Sequence, residues 1–453
     1  MNPFDDTIVG PATAPGEAGV GIVRLSGPLS LSILQTFFSA KNPRSLKPWS
    51  LAYGFVLDQG QPLDEVLVAY MKPPKSYTAE LVVEIFCHGG GLILRRVIEL
   101  CLAQGARLAG PGEFTQRAFV NGRIDLTQAE AVGDLVRVKT DLGLHLVINQ
   151  LKGKLYQRIL ALKEQLAWVL ALLGASIDFP EENVVFAHQE EITAKLTAAR
   201  ADLWALVKSA KGGRTITEGY KLVLAGRPNV GKSSLLNGLL EEDRAIVTSI
   251  PGTTRDTLEE AFTVGGVPVK LVDTAGLRDT EDLIEQMGIR RSVGQLAQAD
   301  LMLWVLDASA PDYHLPPEVL ELKLPKLIVY NKADLAPTLP QPPALWAEAQ
   351  TIALSALSRP DLERLKAKLF ELITTQVGPL AEEGALTNLR QEEAAKKALS
   401  ALDQGLQALE EGAGEELLSL ELSLVLGALG EIVGETTPEE MLNRIFGSFC
   451  IGK

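Results

Sequence analysis

The sequence predicts a multidomain chain: an α+β N-terminal part, an all-α helical part, and an α/β unit inserted into the helical part. Three observations carry this. Residues 1–118 mix short β-rich runs with glycine and proline. Residues 119–215 lose that punctuation and become long amphipathic runs, a texture that returns over 377–453. Between them, over 216–376, strand-like and helix-like segments alternate, as in a parallel sheet covered by helices. At roughly 150 residues per domain, 453 residues allow about three domains.

In the first part, Val20-Gly-Ile-Val-Arg-Leu25, Glu65-Val-Leu-Val-Ala-Tyr70 and Leu81-Val-Val-Glu-Ile-Phe86 read as strands by alternation and β-branching. Helical periodicity is expected over 28–39 and 91–103. In the helical part, Leu146, Ile148, Leu151, Leu155, Ile159 and Leu162 recur mostly at three- and four-residue steps, one apolar stripe that reads as bundle core. Asp178-Phe-Pro-Glu181 is expected to break one helix from the next, and the proline-rich stretch 336–344 to be a surface loop.

Composition narrows the function. Lysine and arginine number 43 against 57 aspartates and glutamates, a net charge of −14. So acidic a chain has no broad basic footprint for coating nucleic acid, although a local patch or a basic partner is compatible with it. Three scattered cysteines (Cys87, Cys101, Cys450) and four histidines fit neither a disulfide framework nor a metal cluster. The N-terminus lacks a basic segment followed by an apolar one, and no run approaches 20 uninterrupted apolar residues. A cytoplasmic chain without a membrane span is therefore expected.

The chemistry is concentrated in the inserted unit. Gly226-Arg-Pro-Asn-Val-Gly231-Lys232-Ser233 fits G-x-x-x-x-G-K-[ST], preceded by the apolar run 221–225 and followed by a helical run. Backbone N–H groups of Asn229, Val230, Gly231, Lys232, Ser233 and Ser234 are expected to cradle phosphates at the start of a helix. Lys232 would reach the β- and γ-phosphates, and the Ser233 hydroxyl would ligate Mg²⁺. Lys270-Leu-Val-Asp273-Thr274-Ala275-Gly276 reads as a buried strand ending in an acid near Mg²⁺. Asn331-Lys332-Ala333-Asp334 is N-K-x-D; its aspartate can accept two hydrogen bonds from the guanine edge that adenine cannot donate. Ser355-Ala356 suits a loop closing over the base. These elements stand in the order expected of a GTPase of the P-loop, Ras-like type. Between the first two lies Thr248-Ser249-Ile250-Pro251-Gly252-Thr253-Thr254, whose position is that of a switch loop.

After Gly276 comes Leu277, where Ras-like enzymes carry a water-orienting glutamine. Leucine cannot orient water. Glu285 on the following helical run is one candidate for that role. An added cation is another, with Asn229 offering a side-chain carbonyl and the 248–253 loop its backbone carbonyls.

Longer segments carry a resemblance over essentially the whole chain. They include Gly19-Val-Gly-Ile-Val-Arg24-Leu-Ser-Gly27, Val83-Glu84-Ile-Phe-Cys-His-Gly-Gly90 and Pro111-Gly-Glu-Phe-Thr-Gln-Arg-Ala-Phe119. Asn121-Gly-Arg123-Ile-Asp-Leu-Thr-Gln-Ala-Glu-Ala131 and the terminal Phe449-Cys450-Ile-Gly-Lys453 complete them. With these the chain resembles the MnmE (TrmE) family of tRNA modification GTPases.

The resemblance implies an N-terminal domain that dimerises and binds a tetrahydrofolate derivative, in the 5,10-methylene or 5-formyl form, through Arg24, Glu84, Arg123 and Lys453. It implies that Glu285 orients the attacking water. It assigns K⁺ to Asn229, Thr248, Ile250 and Thr253, and Mg²⁺ to Ser233 and Thr254. It implies a homodimer working on tRNA with a flavoprotein of the MnmG (GidA) family, which holds the FAD. Together they would add an aminomethyl or carboxymethylaminomethyl group to carbon 5 of the wobble uridine. Arg123 stands where many members have lysine, and Ala79-Glu80-Leu81 where Gly-Glu-Asp is common. Cys450 has two open readings, a catalytic thiol on the tail or part of a tail that only closes the pocket. A GTP switch for ribosome assembly, similar to Era or Der, explains 216–376 equally well but not the N-terminal segments or the tail.

Overall fold

The computed structural model describes residues 5–42, 44, 46–179, 184–244, 261–272, 299–314, 324–336, 338, 341–346, 349–378, 384–412 and 414–452. They group into two compact units. One takes in residues up to 137, with 148–199 and 400–453; the other takes in 138–147 and 200–399.

In the first unit, seven strands form one sheet: β1 (Ile8–Pro11), β2 (Ala18–Ser26), β3 (Phe38–Ala40), β4 (Ala52–Asp58), β5 (Gln61–Met71), β6 (Val82–Gly89) and β7 (Arg107–Leu108). Their order is β3-β4-β5-β6-β2-β1-β7. Every pairing is antiparallel except β1 with β7. Alternation decides the two faces. Val23 and Leu25 of β2, Val66 and Val68 of β5, and Val83 and Ile85 of β6 are all buried against helices Ser30–Phe37 and Gly91–Ala103. Arg24 and Glu84, lying between those residues in sequence, therefore share the opposite face, and the β2–β6 register sets them side by side. The three strands expected here fall within or largely over β2, β5 and β6, and the expected helix over 91–103 is Gly91–Ala103.

The helical stripe is divided. Helix Asp141–Leu151 ends, Gly153 takes φ 78, and a second helix runs over Lys154–Asp178. A left-handed residue stops a helix by turning the chain out of the αR basin, and glycine does so without a Cβ clash. Leu155, Ile159 and Leu162 are buried in the first unit, where this helix packs along helix Glu415–Val433. Leu146 instead packs with Ile216 and Ala385 in the second unit. The expected single stripe is thus two shorter faces. Among the described residues, Lys154–Asp178 is also long and apolar enough to cross a membrane; its apolar stripe, however, is part of the bundle core. The break at 178 is present: the helix ends at Asp178, and the next spans Val184–Glu218.

The second unit contains a six-stranded sheet of β8 (Tyr220–Ala225), β9 (Ala261–Val264), β10 (Val267–Val272), β11 (Leu301–Asp307), β12 (Lys326–Asn331) and β13 (Gln350–Ala353). The order is β13-β12-β11-β8-β10-β9, parallel except for the β9–β10 pair. Both faces are covered, which is why β11 and β12 read as nearly unbroken apolar runs. Leu303, Val305, Leu327 and Val329 bury one face beside residues of helices Lys232–Arg244 and Arg359–Val377. Met302, Trp304, Ile328 and Tyr330 bury the other, where the Trp304 ring stands edge-on to Tyr313 and Trp346. From β8 the sheet grows in both directions, so the C-terminal end of β8 is a topological switch point, where open α/β sheets place their ligands.

Candidate functional site

The loop leaving β8 is built around three left-handed or near-left-handed residues: Gly226 at φ 147, Asn229 at φ 62 and Gly231 at φ 94. A Cβ on Gly226 would stand 2.3 Å from the Val305 carbonyl oxygen, and one on Gly231 would stand 2.1 Å from Asn331 Nδ2. Backbone must therefore pass here without a side chain. The next helix begins at Lys232, which brings Ser233 and Ser234 into its first turn. That helix start offers N–H groups and a positive dipole end to an anion. The Lys232 ammonium curls over the loop and donates to the carbonyls of Gly226 and Arg227 at 2.7 and 2.8 Å. Burial holds its pKa below the ordinary lysine range.

The N-K-x-D segment leaves β12 directly against this loop. Asn331 is buried; its side-chain amide donates to the Val230 carbonyl at 2.8 Å, and its Oδ1 accepts from the Ala356 N–H at 2.9 Å. One side chain thereby ties the phosphate loop, the base strand and the 355–356 loop together. Lys332 takes φ 60 and donates to the Asn229 carbonyl at 2.8 Å. Ala333 and Asp334 open a short 3₁₀ turn and line a cleft of about 620 Å³ with Ser355, Leu357, Ser358 and Arg364. The Ser355 N–H donates to Asp361 at 2.9 Å.

The structure therefore brings together residues 229–234, 331–334 and 355–356. Residues 248–254, 273–276, Leu277 and Glu285 lie outside the described residues. Sequence reasoning missed Asp307, which ends β11 and pairs with Lys332 at 2.7 Å, and Asp361. Asp361 did carry a signal, since Ser358-Arg-Pro-Asp361 is a helix-start pattern of the S-x-x-D type.

The first unit holds the second cluster. Arg24 bonds Glu84 with Nε at 2.9 Å, and its Nη1 donates to the Gly452 carbonyl at 3.3 Å. The Arg24 and Arg123 guanidinium carbons lie 5.1 and 4.8 Å from the centre of one ring, Tyr77. Tyr77 in turn shares a 2.8 Å hydrogen bond with Thr115. Two cations on one aromatic platform form a site suited to a carboxylate-bearing, planar ligand. Tyr77 and Thr115 were not singled out from sequence, because an isolated aromatic in a loop carries no spacing signal.

The tail is seated at the same place. Ile451 bridges to Pro111, and the Gly112 N–H points to the Cys450 carbonyl at 3.4 Å. Gly452, at φ 100, passes so close to the Pro11 carbonyl that a Cβ would come within 1.8 Å of it. The Cys450 side chain is exposed; Lys453 lies outside the described residues. Ala79 holds a left-handed φ of 60 without being glycine. The loop around it is anchored by Glu80, which accepts from Ser26 at 2.6 Å and pairs with the fully buried Arg117 at 3.3 Å.

A family model described as the MnmE helical domain matches residues 126–450, and one described as the GTP-binding protein TrmE N-terminus matches residues 7–123. The tRNA modification GTPase MnmE of Syntrophotalea carbinolica is 46% identical over 457 residues, covering 99% of both chains. That of Alkaliphilus metalliredigens is 43% identical over 462 residues, covering 99% of this chain and 100% of its own. That of Clostridioides difficile is 41% identical over 459 residues, with the same coverage. Matches of this identity along the whole length, on a chain with this phosphate loop and this N-terminal cluster, place it plainly: the chain belongs to the MnmE family of tRNA modification GTPases.

Proposed function

We propose that the chain is a K⁺-stimulated GTPase of tRNA modification. With a flavin-dependent partner of the MnmG type, it would add an aminomethyl or carboxymethylaminomethyl group to carbon 5 of the wobble uridine. The observation that carries the GTPase reading is the Asn331 tie, because it sets the phosphate-binding loop and the guanine-reading segment at one switch point of the sheet.

In this reading the loop N–H groups and Lys232 bind the phosphates, Asp334 reads guanine, and Ser355 and Ala356 close over the base. Ser233 with Thr254 would hold Mg²⁺, and Asn229 with Thr248, Ile250 and Thr253 would hold K⁺. These ions supply charge for the phosphate oxygens. Glu285 would orient water. Arg24, Glu84 and Arg123, with Lys453, would hold the folate. The stacked arginines on Tyr77 fit its carboxylate-bearing tail, and a carboxylate suits the pterin's donors. The folate would contribute the one-carbon unit and the partner's FAD the redox chemistry. GTP turnover would drive G-domain association rather than the carbon chemistry.

The domains proposed are 1–118 for folate and dimerisation, 216–376 for GTP, and a helical domain from 119–215 and 377–453. A cytoplasmic homodimer is proposed with them. Hydrolysis of GTP, ATP and XTP by the wild type and Asp334→Asn tests the base assignment. The wild type is expected to prefer GTP, and the variant to lose that preference; a variant that keeps it contradicts the reading.

A further inference from the structure

β11 and β12 run parallel with Asp307 opposite Asn331, so the last residue of one strand stands beside the first residue of N-K-x-D. The Asp307 carboxylate is held from two sides. Oδ1 accepts from the Ser309 N–H at 3.0 Å and from the Ser309 hydroxyl at 2.6 Å. Oδ2 takes the Lys332 ammonium at 2.7 Å. The same ammonium donates to the Asn229 carbonyl, and the neighbouring Val230 carbonyl takes the Asn331 amide, each at 2.8 Å. Two consecutive carbonyls of the phosphate loop are thus held by two consecutive side chains of the base-reading segment.

The two ties differ in what secures them. Asn331 is buried and bonded at both ends of its amide. Lys332 is a compact charge on a flexible stem, about a third exposed, and needs something to aim it. Lys332 is itself left-handed at φ 60, a conformation that a lysine keeps only where the surroundings enforce it. The hydrogen bonds from Lys332 and then Ser309 also hold the Asp307 carboxyl below the ordinary range, so it stays ionised to serve as that partner.

We propose that Asp307 is a positioning residue of the nucleotide site: by aiming Lys332 it locks the Asn229 carbonyl, and with it the phosphate loop, to the base-reading segment. The inference rests on reading this site as a guanine-nucleotide site. Asp307 touches neither phosphate nor base in this account. It preorganises the site, so its loss falls on binding rather than on the chemical step.

The test uses the full chain as wild type, Asp307→Asn, Lys332→Met and the double variant, with GDP binding and release and GTP kinetics as readouts. Asp307→Asn is expected to weaken GDP binding about tenfold, the scale of one charge-assisted hydrogen bond, mainly through faster release. KM for GTP rises by a similar factor, with kcat within about twofold. In the Lys332→Met background Asp307→Asn adds nothing, because the group it aims is gone. Ser309→Ala, at an exposed position, removes the hydroxyl brace and should weaken GDP binding about twofold to threefold, a readout that does not depend on the Asp307→Asn chain folding well. Unchanged GDP affinity in Asp307→Asn and Ser309→Ala overturns the proposal, as does an equal loss from Asp307→Asn with and without Lys332. A wild type that binds no GDP overturns the nucleotide-site reading beneath it.

Discussion

Arg24 and Glu84 face each other across the β2–β6 ladder, and Nε and Nη2 of the guanidinium both reach one carboxylate oxygen, Glu84 Oε1, at 2.9 and 2.8 Å. With Nη1 on the Gly452 carbonyl, most of the Arg24 donors are engaged within the chain. Arg123, exposed over the Tyr77 ring, is the arginine better placed to take a ligand's carboxylate. In the proposed folate site Arg24 would then mainly hold Glu84 and the tail in position for it.

Calorimetry of 5-formyltetrahydrofolate binding checks this division. Arg123→Ala should weaken binding about tenfold or more, as expected for a lost charge-assisted pair. Arg24→Ala should weaken it too, while freeing the 450–452 segment to proteolysis. Affinity unchanged in the double variant would sink the folate assignment.

The ion network beneath that site predicts an acid-dependent stability. Burial alone would raise the Asp6 and Glu113 carboxyls, but hydrogen bonds from Arg107 and Arg117 outweigh it and hold both below their ordinary range. A depressed carboxyl contributes stability above its unfolded pKa and loses it as pH falls through the folded value. Arg117 is fully buried and also pairs with Glu80, so Arg117→Met should cost the N-terminal unit on the order of 3 kcal/mol at pH 7. Thermal melts at pH 7 and near pH 3 should show the gap between wild type and variant shrinking with acid. A gap independent of pH contradicts the network's charge role.

Leu277 cannot orient water, so turnover should depend on Glu285 and on K⁺ beside Asn229. Glu285→Ala is expected to bind GTP nearly normally and lose about 10²-fold or more in turnover, typical of a positioned catalytic group. Asn229→Ala should lose K⁺ stimulation specifically. Na⁺ is too small to span a shell of fixed carbonyls, whereas Rb⁺ and NH₄⁺ should partly substitute. The measurement is GTP hydrolysis at constant ionic strength as KCl is exchanged for NaCl, and equal rates in both salts would refute the cation mechanism.

What was legible in the sequence follows from how local each cause is. Alternation in β2 and β6 is a two-residue period, so the strands themselves were legible; the fold then buries Val23, Leu25, Val83 and Ile85 and leaves Arg24 and Glu84 on the other face. The phosphate loop was legible because G-x-x-x-x-G-K-S is contiguous between a strand and a helix, although the contacts that demand its glycines come from distant Val305 and Asn331. Apolar spacing runs on across Gly153, so periodicity alone did not show that Leu146 and Leu155 belong to different cores. Asp307 escaped notice because its partner, Lys332, is 25 residues away and only the β11–β12 register joins them. Tyr77 escaped because it is an isolated aromatic whose cations, Arg24 and Arg123, are distant in sequence.

The central claim is that GTP turnover at this phosphate loop serves wobble-uridine modification. Nucleoside analysis of tRNA tests it most directly, from cells lacking the chain and from the same cells given back wild type or Lys232→Ala. In the proposed site Lys232 would supply the charge for the β- and γ-phosphates, so its loss should abolish turnover. The account predicts that the aminomethyl-type modification at carbon 5 of the wobble uridine disappears without the chain, returns with the wild type, and does not return with Lys232→Ala. An unchanged modified-nucleoside content in cells lacking the chain, or full restoration by Lys232→Ala, would contradict it.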